Sequence, residues 1–201
     1  MAKILVQFAH PALEKSRIHA RMIKYLQQVK GVFINDLYEE YPDFDIDVER
    51  EQALLLQHDI IILQHPFYWY SSPAIIKQWL DLVLEHGWAY GSNGLALTGK
   101  HMMNAVSCGG SRQAYQPGGI NRLSVVDYLE PFHQTARLCK MHYLPPFVVH
   151  GTHKKADEEI EDDARSFADV VRKLQQGILP AAGLETTEYI NDLLIPQSPT
   201  A

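Results

Sequence analysis

Residues 60–79 constrain the fold more than any other part of the chain. They open on residues 60–63, a continuous aliphatic run that is typical of a strand buried on both faces of a parallel sheet. Pro66 ends this strand, and Ser71 and Ser72 can cap a helix whose first position is Pro73. A buried strand that leads into a helix is the repeating unit of α/β proteins, so we expect a parallel sheet covered by helices.

Four consecutive aromatic residues, Phe67, Tyr68, Trp69 and Tyr70, lie between this strand and this helix. They can belong to the core, since aromatic rings supply much of a core's buried area. Four large rings in one loop cannot all point inward, however, and exposed aromatic clusters usually mark a site. The carboxyl end of a strand in an open α/β sheet is also where such sheets bind planar ligands.

The rest of the chain alternates between strand and helix patterns. Strands are predicted at residues 4–9, 32–37, 100–107 and 146–150, in addition to 60–63. Helices are predicted at residues 16–29, 48–58, 73–83, 123–141 and 157–176, and residues 38–47 are expected to form an acidic aromatic loop. This alternation predicts one α/β domain, a five-stranded parallel sheet in the order 2-1-3-4-5 with helices on both faces. Residues 177–201 contain three prolines and are expected to be a tail that is either disordered or lies on another surface.

Charge and cysteine content exclude several classes of protein. The chain has 24 acidic residues against 18 lysines and arginines, and the resulting net charge of −6 argues against a non-specific nucleic-acid binder. No apolar run approaches the roughly 20 residues that a membrane-spanning helix needs. Cys108 and Cys139 are too few for a disulfide scaffold, which favours a reducing, cytoplasmic location. The 10 histidines lack metal-ligand spacing, so no metal site is expected.

The loop after the first strand is the first of three that meet at one sheet edge. It ends at a helix amino terminus, where free N–H groups, the hydroxyl of Ser16 and the ring of His10 would hold a phosphate. Judged by this loop alone, Ser16 can equally be a plain helix cap. The spacing matches neither the P-loop nor Gly-x-Gly-x-x-Gly, which disfavours nucleoside triphosphates and a Rossmann dinucleotide.

The loop after the fourth strand carries Gly109 and Gly110, with Tyr115 five residues later. Two glycines let a backbone approach a ligand ring closely, and N–H groups there can point at a carbonyl that gains negative charge on reduction. A Gly-Gly pair is also common in tight turns. The hydroxyl of Tyr115 can donate to the same place.

Several motifs in this order resemble one family. They are Ala-His-Pro at residues 9–11 with Ser16 downstream, Asp-Leu-Tyr at 36–38, Tyr-Pro-Asp-Phe at 41–44, Gln-His-Pro-Phe-Tyr-Trp-Tyr-Ser at 64–71, Pro-Ala at 73–74 and Gly-Trp-Ala-Tyr-Gly at 87–91. The chain resembles the flavodoxin-like NAD(P)H:quinone oxidoreductases, and most of all the ancillary proteins of the Kef glutathione-regulated potassium-efflux systems. The likeness covers about residues 3–175, which divides the chain into a flavodoxin-like domain at residues 3–176 and a tail at 177–201.

The resemblance implies a three-layer sandwich that binds a flavin, with FMN favoured over FAD. Its phosphate would contact His10, Ser16, Arg17, Ile18 and His19. Its ring would be framed by Phe67, Tyr68, Trp69, Tyr70, Ser107, Cys108, Gly109 and Gly110. Such enzymes pass a hydride from NAD(P)H to the flavin and then to a quinone or related electrophile in a ping-pong cycle.

The resemblance also implies partners and catalytic residues. The family implies a homodimer, and the Kef likeness implies a second role, that of a regulatory subunit docked on a membrane potassium-efflux transporter at the inner face of the cell membrane. Tyr115 matches a tyrosine that stabilises the reduced flavin, and Asn121 stands where many members have a histidine. Asparagine can donate a hydrogen bond but cannot carry a proton. Cys108 would lie near the flavin, but only Arg112 is placed to lower its pKa, so a buried, inert thiol is expected.

Overall fold

The structure is a computed structural model that describes residues 1–179 and 181–194. Its centre is a parallel sheet of β1 (Ile4–Phe8), β2 (Val32–Asp36), β3 (Ile60–Pro66), β4 (His101–Ser107), β5 (His142–Tyr143) and β6 (Phe147–Val149). The order is β2-β1-β3-β4, and β5 and β6 both pair with β4. The predicted order 2-1-3-4-5 is confirmed, with the fifth place shared by two short segments. Pro145 and Pro146 separate these segments, because proline has no N–H to donate to the ladder.

The helices cover both faces of this sheet, as predicted. They are α1 (Arg17–Leu26), α2 (Leu37–Glu40), α3 (Val48–Gln57), α4 (Ala74–Val83), α5 (Val125–Tyr128), α6 (Glu130–Leu138), α7 (Asp157–Gln176) and α8 (Ala181–Thr186). Within the described residues, none of the helices is both long enough and apolar enough to cross a membrane.

Three local predictions were wrong. The predicted helix at residues 123–141 is two helices, since Pro131 near the start of α6 cannot donate the N–H that would continue α5. The predicted loop at 38–47 begins with α2, because the Asp36 carboxylate accepts from the N–H of Tyr38 and starts a helical turn. Pro73 is the cap residue of α4 rather than its first residue, and no side chain caps that helix.

The sheet separates two hydrophobic cores. In β1, Leu5 contributes to the core under α3, α4 and α6, whereas Ile4 and Val6 contribute to the core under α1 and α7. This alternation follows from the two-residue period of a strand and explains why the central strands read as unbroken apolar runs. The predicted three-layer sandwich is confirmed.

A buried carboxylate lies beneath α3 in the first of these cores. Glu51 is fully buried. Its oxygens accept hydrogen bonds from the side chains of Gln7 (2.6 Å), Asn35 (2.9 Å), Tyr41 (2.7 Å), Arg50 (2.6 Å) and Trp79 (2.8 Å). Because these donors come from β1, β2, α3, α4 and the segment after α2, one side chain connects five parts of the fold.

The described part of the predicted tail follows α7, which ends where Gly177 adopts a left-handed conformation with φ of 65°. Residues 187–194 then lie against β6. The Asn191 side chain accepts from the N–H of Val148 (2.9 Å) and donates to the Val148 carbonyl (3.1 Å). Of the two alternatives for the tail, these residues therefore follow the second. Residues 180 and 195–201 lie outside the described residues.

Candidate functional site

The loops after β1, β3, β4 and β6 surround one cavity at the carboxyl edge of the sheet. Its volume is about 380 Å³, and it is lined by His10, Ala12, Lys15, Ser16, Arg17, Ile18, Pro66, Phe67, Tyr68, Ser107, Gly109, Thr152 and His153. Parallel strands end at a common edge, so residues far apart in sequence meet there. The three loops singled out from the sequence therefore do converge.

The amino terminus of α1 forms one wall. The hydroxyl oxygen of Ser16 accepts from the N–H of His19 at 3.0 Å, so Ser16 is a helix cap and lines the cavity as well. The backbone N–H groups of a first turn have no partner within the helix and favour an anion. The guanidinium of Arg17 is held elsewhere, since it donates to the Asp157 carboxylate (2.7 Å) and the Lys155 carbonyl (3.1 Å).

Two histidines support this wall as neutral rings. The Nδ1 of His10 accepts from the N–H of Ala12 (3.1 Å), which leaves its proton on Nε2, and burial lowers its pKa. His19 is fully buried, and burial, with His10 and His65 nearby, holds its pKa well below the usual range.

The buried His19 ring orients a hydroxyl of the cavity. Gln64 donates to its Nδ1 at 3.3 Å, so its proton lies on Nε2, which donates to the Ser107 hydroxyl oxygen at 2.9 Å. The hydrogen of Ser107 is then free to point into the cavity. Of the residues predicted to contact a phosphate, His19 is not among those that line the cavity, and its ring reaches the cavity wall through Ser107.

The four aromatic rings of the second loop differ in their exposure to solvent. Phe67 is buried, whereas Trp69 is 92% exposed, in keeping with the expectation that not all four can point inward. Tyr68 and Ser71 exchange backbone hydrogen bonds across a two-residue turn, in which Trp69 and Tyr70 have φ of 50° and 64°. Left-handed backbone of this kind costs roughly 1 kcal/mol or more at a bulky residue. The turn is therefore strained at the rim of the cavity.

This strain gives a testable expectation. Trp69→Asn should raise the free energy of unfolding by about 0.5–1 kcal/mol, because asparagine tolerates the left-handed region and the exposed indole has little packing to lose. Trp69→Ala removes the same ring but keeps the strain, and is the matched control. Urea unfolding measures both, and an asparagine variant no more stable than the alanine variant would contradict this account.

The two glycines of the third loop are needed for close packing. A Cβ on Gly109 would lie 2.3 Å from Nε2 of His153, and one on Gly110 would lie 2.7 Å from a ring carbon of Tyr115. Neither glycine has a positive φ, so the tight-turn alternative does not explain them. Only glycine leaves room there for the two rings, and Gly109 itself lines the cavity.

Cys108 lies beneath this loop. It is buried, which raises the pKa of its thiol to about 12. Its thiol lies 3.2 Å from Nδ1 of His150, whose pKa falls to about 4, first through burial and then through Arg112. A buried thiol that keeps its proton beside a neutral ring is unreactive, which agrees with the expected inert thiol.

Tyr115 and Asn121 border the same aromatic cluster. The Tyr115 ring is buried 5.7 Å from that of Phe67, and burial raises its pKa to about 12, so the phenol keeps its proton. The side-chain oxygen of Asn121 accepts a hydrogen bond from the Tyr70 hydroxyl at 3.4 Å. Tyr128, which sequence reasoning missed, packs 5.0 Å from Tyr70 and completes the cluster.

Other missed residues are Thr152 and His153, which follow β6 and line the cavity. The signal for them was available, since the loop after the fifth strand ends at the same sheet edge. The lining residues of the cavity include hydrogen-bond donors, the lysine Lys15 and the aromatic rings of Phe67 and Tyr68. Such a site suits a ligand with an anionic group and a flat ring system.

Comparisons with known proteins agree with this geometry. The profile of a family described as having a flavodoxin-like fold matches residues 2–172. The uncharacterised NAD(P)H oxidoreductase YrkL of Bacillus subtilis is 44% identical over 85% of this chain and 98% of its own. The potassium-efflux system ancillary protein KefG of Serratia proteamaculans is 41% identical over 85% of this chain and 93% of its own.

Two solved structures are similar over most of the chain. General stress protein 14 of Treponema denticola, solved in complex with FMN, has a TM-score of 0.83 and 40% identity, and the match covers 86% of this chain and 99% of that one. An NADPH-quinone reductase from P. pentosaceus has a TM-score of 0.76 and 33% identity, covering 83% and 96%. The chain therefore belongs to the family with the flavodoxin-like fold.

Proposed function

We propose that this protein is an FMN-dependent NAD(P)H oxidoreductase that reduces quinones or related electrophiles. The observation that carries the proposal is the cavity at the sheet edge, which is lined by the amino terminus of α1, by Ser107 and by the aromatic residues Phe67 and Tyr68. The relative solved with FMN has the same fold at 40% identity, which supports FMN over FAD.

The residues present fit FMN by their chemistry. The N–H groups of Arg17 and Ile18, the hydroxyl of Ser107 and the Nε2–H of His10 are donors for a phosphate. Gly109 leaves the cavity wall without a Cβ, so a ring can lie against the backbone. Trp69 and Tyr70 place the N–H groups of a strained turn at the rim of the same cavity.

Bound FMN would supply the hydride chemistry, accepting from NAD(P)H and passing to the acceptor, and the protein supplies binding and orientation. Tyr115 holds its phenol proton within the aromatic cluster and can donate it toward a carbonyl that gains charge. Asn121 fixes the Tyr70 hydroxyl and carries no proton. A single cavity accommodates the two substrates in turn, which is the basis of a ping-pong cycle.

The test is the absorbance spectrum of the purified protein, followed by the mass of any released cofactor and by steady-state kinetics with NADH or NADPH and a quinone. We expect a yellow protein that releases FMN, and parallel double-reciprocal lines. Protein that stays colourless with excess FMN would overturn the proposal, and intersecting lines would exclude the ping-pong cycle.

Tyr115→Phe should lower the rate of quinone reduction by about 10- to 100-fold, because a hydrogen bond to a charged group is worth about 1.5–3 kcal/mol. The affinity for FMN should stay the same, since the ring of phenylalanine keeps the packing against Phe67. Stopped-flow measurement of each half-reaction locates the loss. Tyr25→Phe, which removes a hydroxyl bonded to Glu161 on α7, is the control. Equal loss in both variants would remove the role of Tyr115.

A second role, as a regulatory subunit docked on a potassium-efflux transporter, is favoured by the 41% identity to KefG. In that role the protein is cytoplasmic and lies at the inner face of the membrane. Bound flavin with negligible turnover, together with capture by the transporter's soluble domain, would favour regulation over catalysis.

We also propose a homodimer. A groove of about 580 Å³ runs between α4 and α6, with Leu80, Leu84, Phe132 and Leu138 among its lining residues. Leu138 is an exposed apolar side chain beside it. Light scattering of the purified protein measures the mass, and a monomer at micromolar concentration would contradict the proposal.

A further inference from the structure

We infer that residues 187–194, here called the C-terminal strap, position Tyr115 by fastening the loop that carries it. The loop at residues 108–122 carries Gly109, which lines the cavity, together with Gly110, Tyr115 and Asn121. The consequence for catalysis rests on the proposed function, whereas the fastening itself is a property of the folded chain.

Arg112 makes the connection from the loop side. It lies in the short 3-10 turn Arg112–Ala114, directly before Tyr115. Its two terminal nitrogens donate in parallel to the two oxygens of Asp192, each at 2.9 Å, and one of them also donates to Glu188 at 3.0 Å. Its guanidinium lies 4.5 Å from the centroid of the Tyr189 ring. An isolated surface ion pair contributes little, but a bidentate fork stacked on an aromatic ring restricts geometry.

The strap is in turn fixed to the sheet. Besides the Asn191 amide on Val148, the N–H of Ile190 donates to the Pro146 carbonyl at 3.1 Å. Tyr189 and Ile190 are both buried, and they contribute to the cores on opposite faces of the sheet. The strap therefore crosses the sheet edge and cannot shift without exposing apolar side chains on both sides.

The strap also reaches Tyr115 through packed rings. The Tyr189 ring meets that of His150 edge-on at 5.4 Å, and the His150 ring lies 6.2 Å from that of Tyr115. The thiol of Cys108, at the start of the same loop, lies 3.2 Å from Nδ1 of His150. The strap thus contacts the loop twice, through Arg112 at its middle and through His150 at its base.

The strap lies outside the part of the chain that the family profile covers, which ends at residue 172. Bonds from elsewhere in the fold hold the two ends of the loop, since the N–H of Gly151 donates to the Gly110 carbonyl at 2.9 Å and the hydroxyl of Tyr128 donates to the Asn121 carbonyl at 2.7 Å. Between these ends, the ion pairs of Arg112 join the turn Arg112–Ala114 to the described residues outside the loop. Arg112 is therefore a positioning residue and does not touch the reacting atoms.

The test compares Arg112→Gln and Asp192→Asn in the full-length chain with Arg165→Gln. Arg165 is an exposed arginine paired with Asp162 on α7, far in sequence from the loop, and is the matched control. The readout is hydrogen exchange of the amides at residues 111–122, in protein stripped of flavin and without NAD(P)H. We expect exchange at Tyr115 and Asn121 at least tenfold faster in the two strap variants, with α1 unchanged. Arg112→Lys should recover part of the protection, since it keeps the charge but loses the fork.

Unchanged exchange in Arg112→Gln would overturn the inference, whatever the protein's activity. In flavin-loaded protein, Arg112→Gln should lower kcat for quinone reduction about tenfold with KM for NAD(P)H unchanged, and an unaltered kcat would likewise overturn the positioning role. If the protein bound no flavin but Arg112→Gln still showed the faster exchange, the proposed function would be refuted and the inference about the strap would stand. The two failures are therefore distinguishable.

Discussion

Glu51→Gln is expected to lower the free energy of unfolding by about 3 kcal/mol, although it alters only one oxygen of the side chain. The carboxylate accepts from five side chains in a fully buried position, and each donor points at an oxygen. In glutamine an NH2 group replaces one of these oxygens, so the side-chain donors that pointed at that oxygen then face another donor. Arg50 also loses its buried counter-charge and keeps only Glu40.

The measurement is urea unfolding at pH 7.5, with Glu49→Gln as the control. Glu49 lies two residues earlier on α3 and is exposed, so the same chemical change there should stay within about 0.5 kcal/mol. Comparison with Glu51→Leu, which removes both the charge and the acceptor oxygens, separates the effect of charge from that of hydrogen bonding. If Glu51→Gln were as stable as the control, the donors would be satisfied without the charge and our account of the cluster would be wrong.

The second large effect that we expect is a loss of stability in acid. The free energy of unfolding should fall by about 4 kcal/mol between pH 7 and pH 5, because of His65 and His150. Burial lowers the pKa of both rings to about 4, so both are neutral in the folded protein at pH 7. In His65, Nδ1 donates to the Pro66 carbonyl while Nε2 accepts from Asn104, so an added proton on Nε2 would face another donor.

The direction follows from proton uptake. In the unfolded chain these rings titrate near the ordinary pKa of 6.5. Below that pH the unfolded state therefore binds protons that the folded state does not bind. Stability is full above pH 6.5 and is lost as the pH falls toward 4, by up to about 2.7 kcal/mol per pH unit for two groups. His19, whose pKa also lies well below the usual range, adds to the same slope.

Urea unfolding at half-unit steps from pH 7.5 to 5 measures this slope. His150→Asn should reduce it by about 1.4 kcal/mol per pH unit, since one proton is no longer taken up on unfolding. His86→Asn changes an exposed ring and should leave the slope as it is. A slope that is the same in all three proteins would show that His150 is not one of its sources.

Much of the site follows from the sequence because strand order alone brings its loops together. Once strands one, three and four are neighbours, His10, Phe67 and Gly109 must end at the same edge. Ser16 was also readable as a cap, since its position before an apolar helical stripe identifies it. The break at Pro131 and the split at Pro145 were visible as prolines, but a helix or strand pattern that continues past a proline conceals them.

Other features of the structure depend on contacts between residues that are far apart in sequence, so the local sequence pattern does not predict them. The partner of the Arg17 guanidinium, for example, is Asp157, which lies 140 residues away in sequence. Glu51 reads as one more charged residue on an amphipathic helix, and only its five donors reveal that it is buried. The strap was read as a tail, because Tyr189 and Ile190 form no periodic pattern and are buried only where the chain crosses the sheet edge.

The side-chain amide of Asn191 has a further consequence for how this molecule can associate. Carboxamide groups carry the same donor and acceptor as a peptide bond, so Asn191 occupies the open ladder positions of Val148 in place of another strand. Exposed edges are templates for strand addition and fibrillar aggregation. This edge of the sheet is therefore closed to intermolecular β-pairing at Val148.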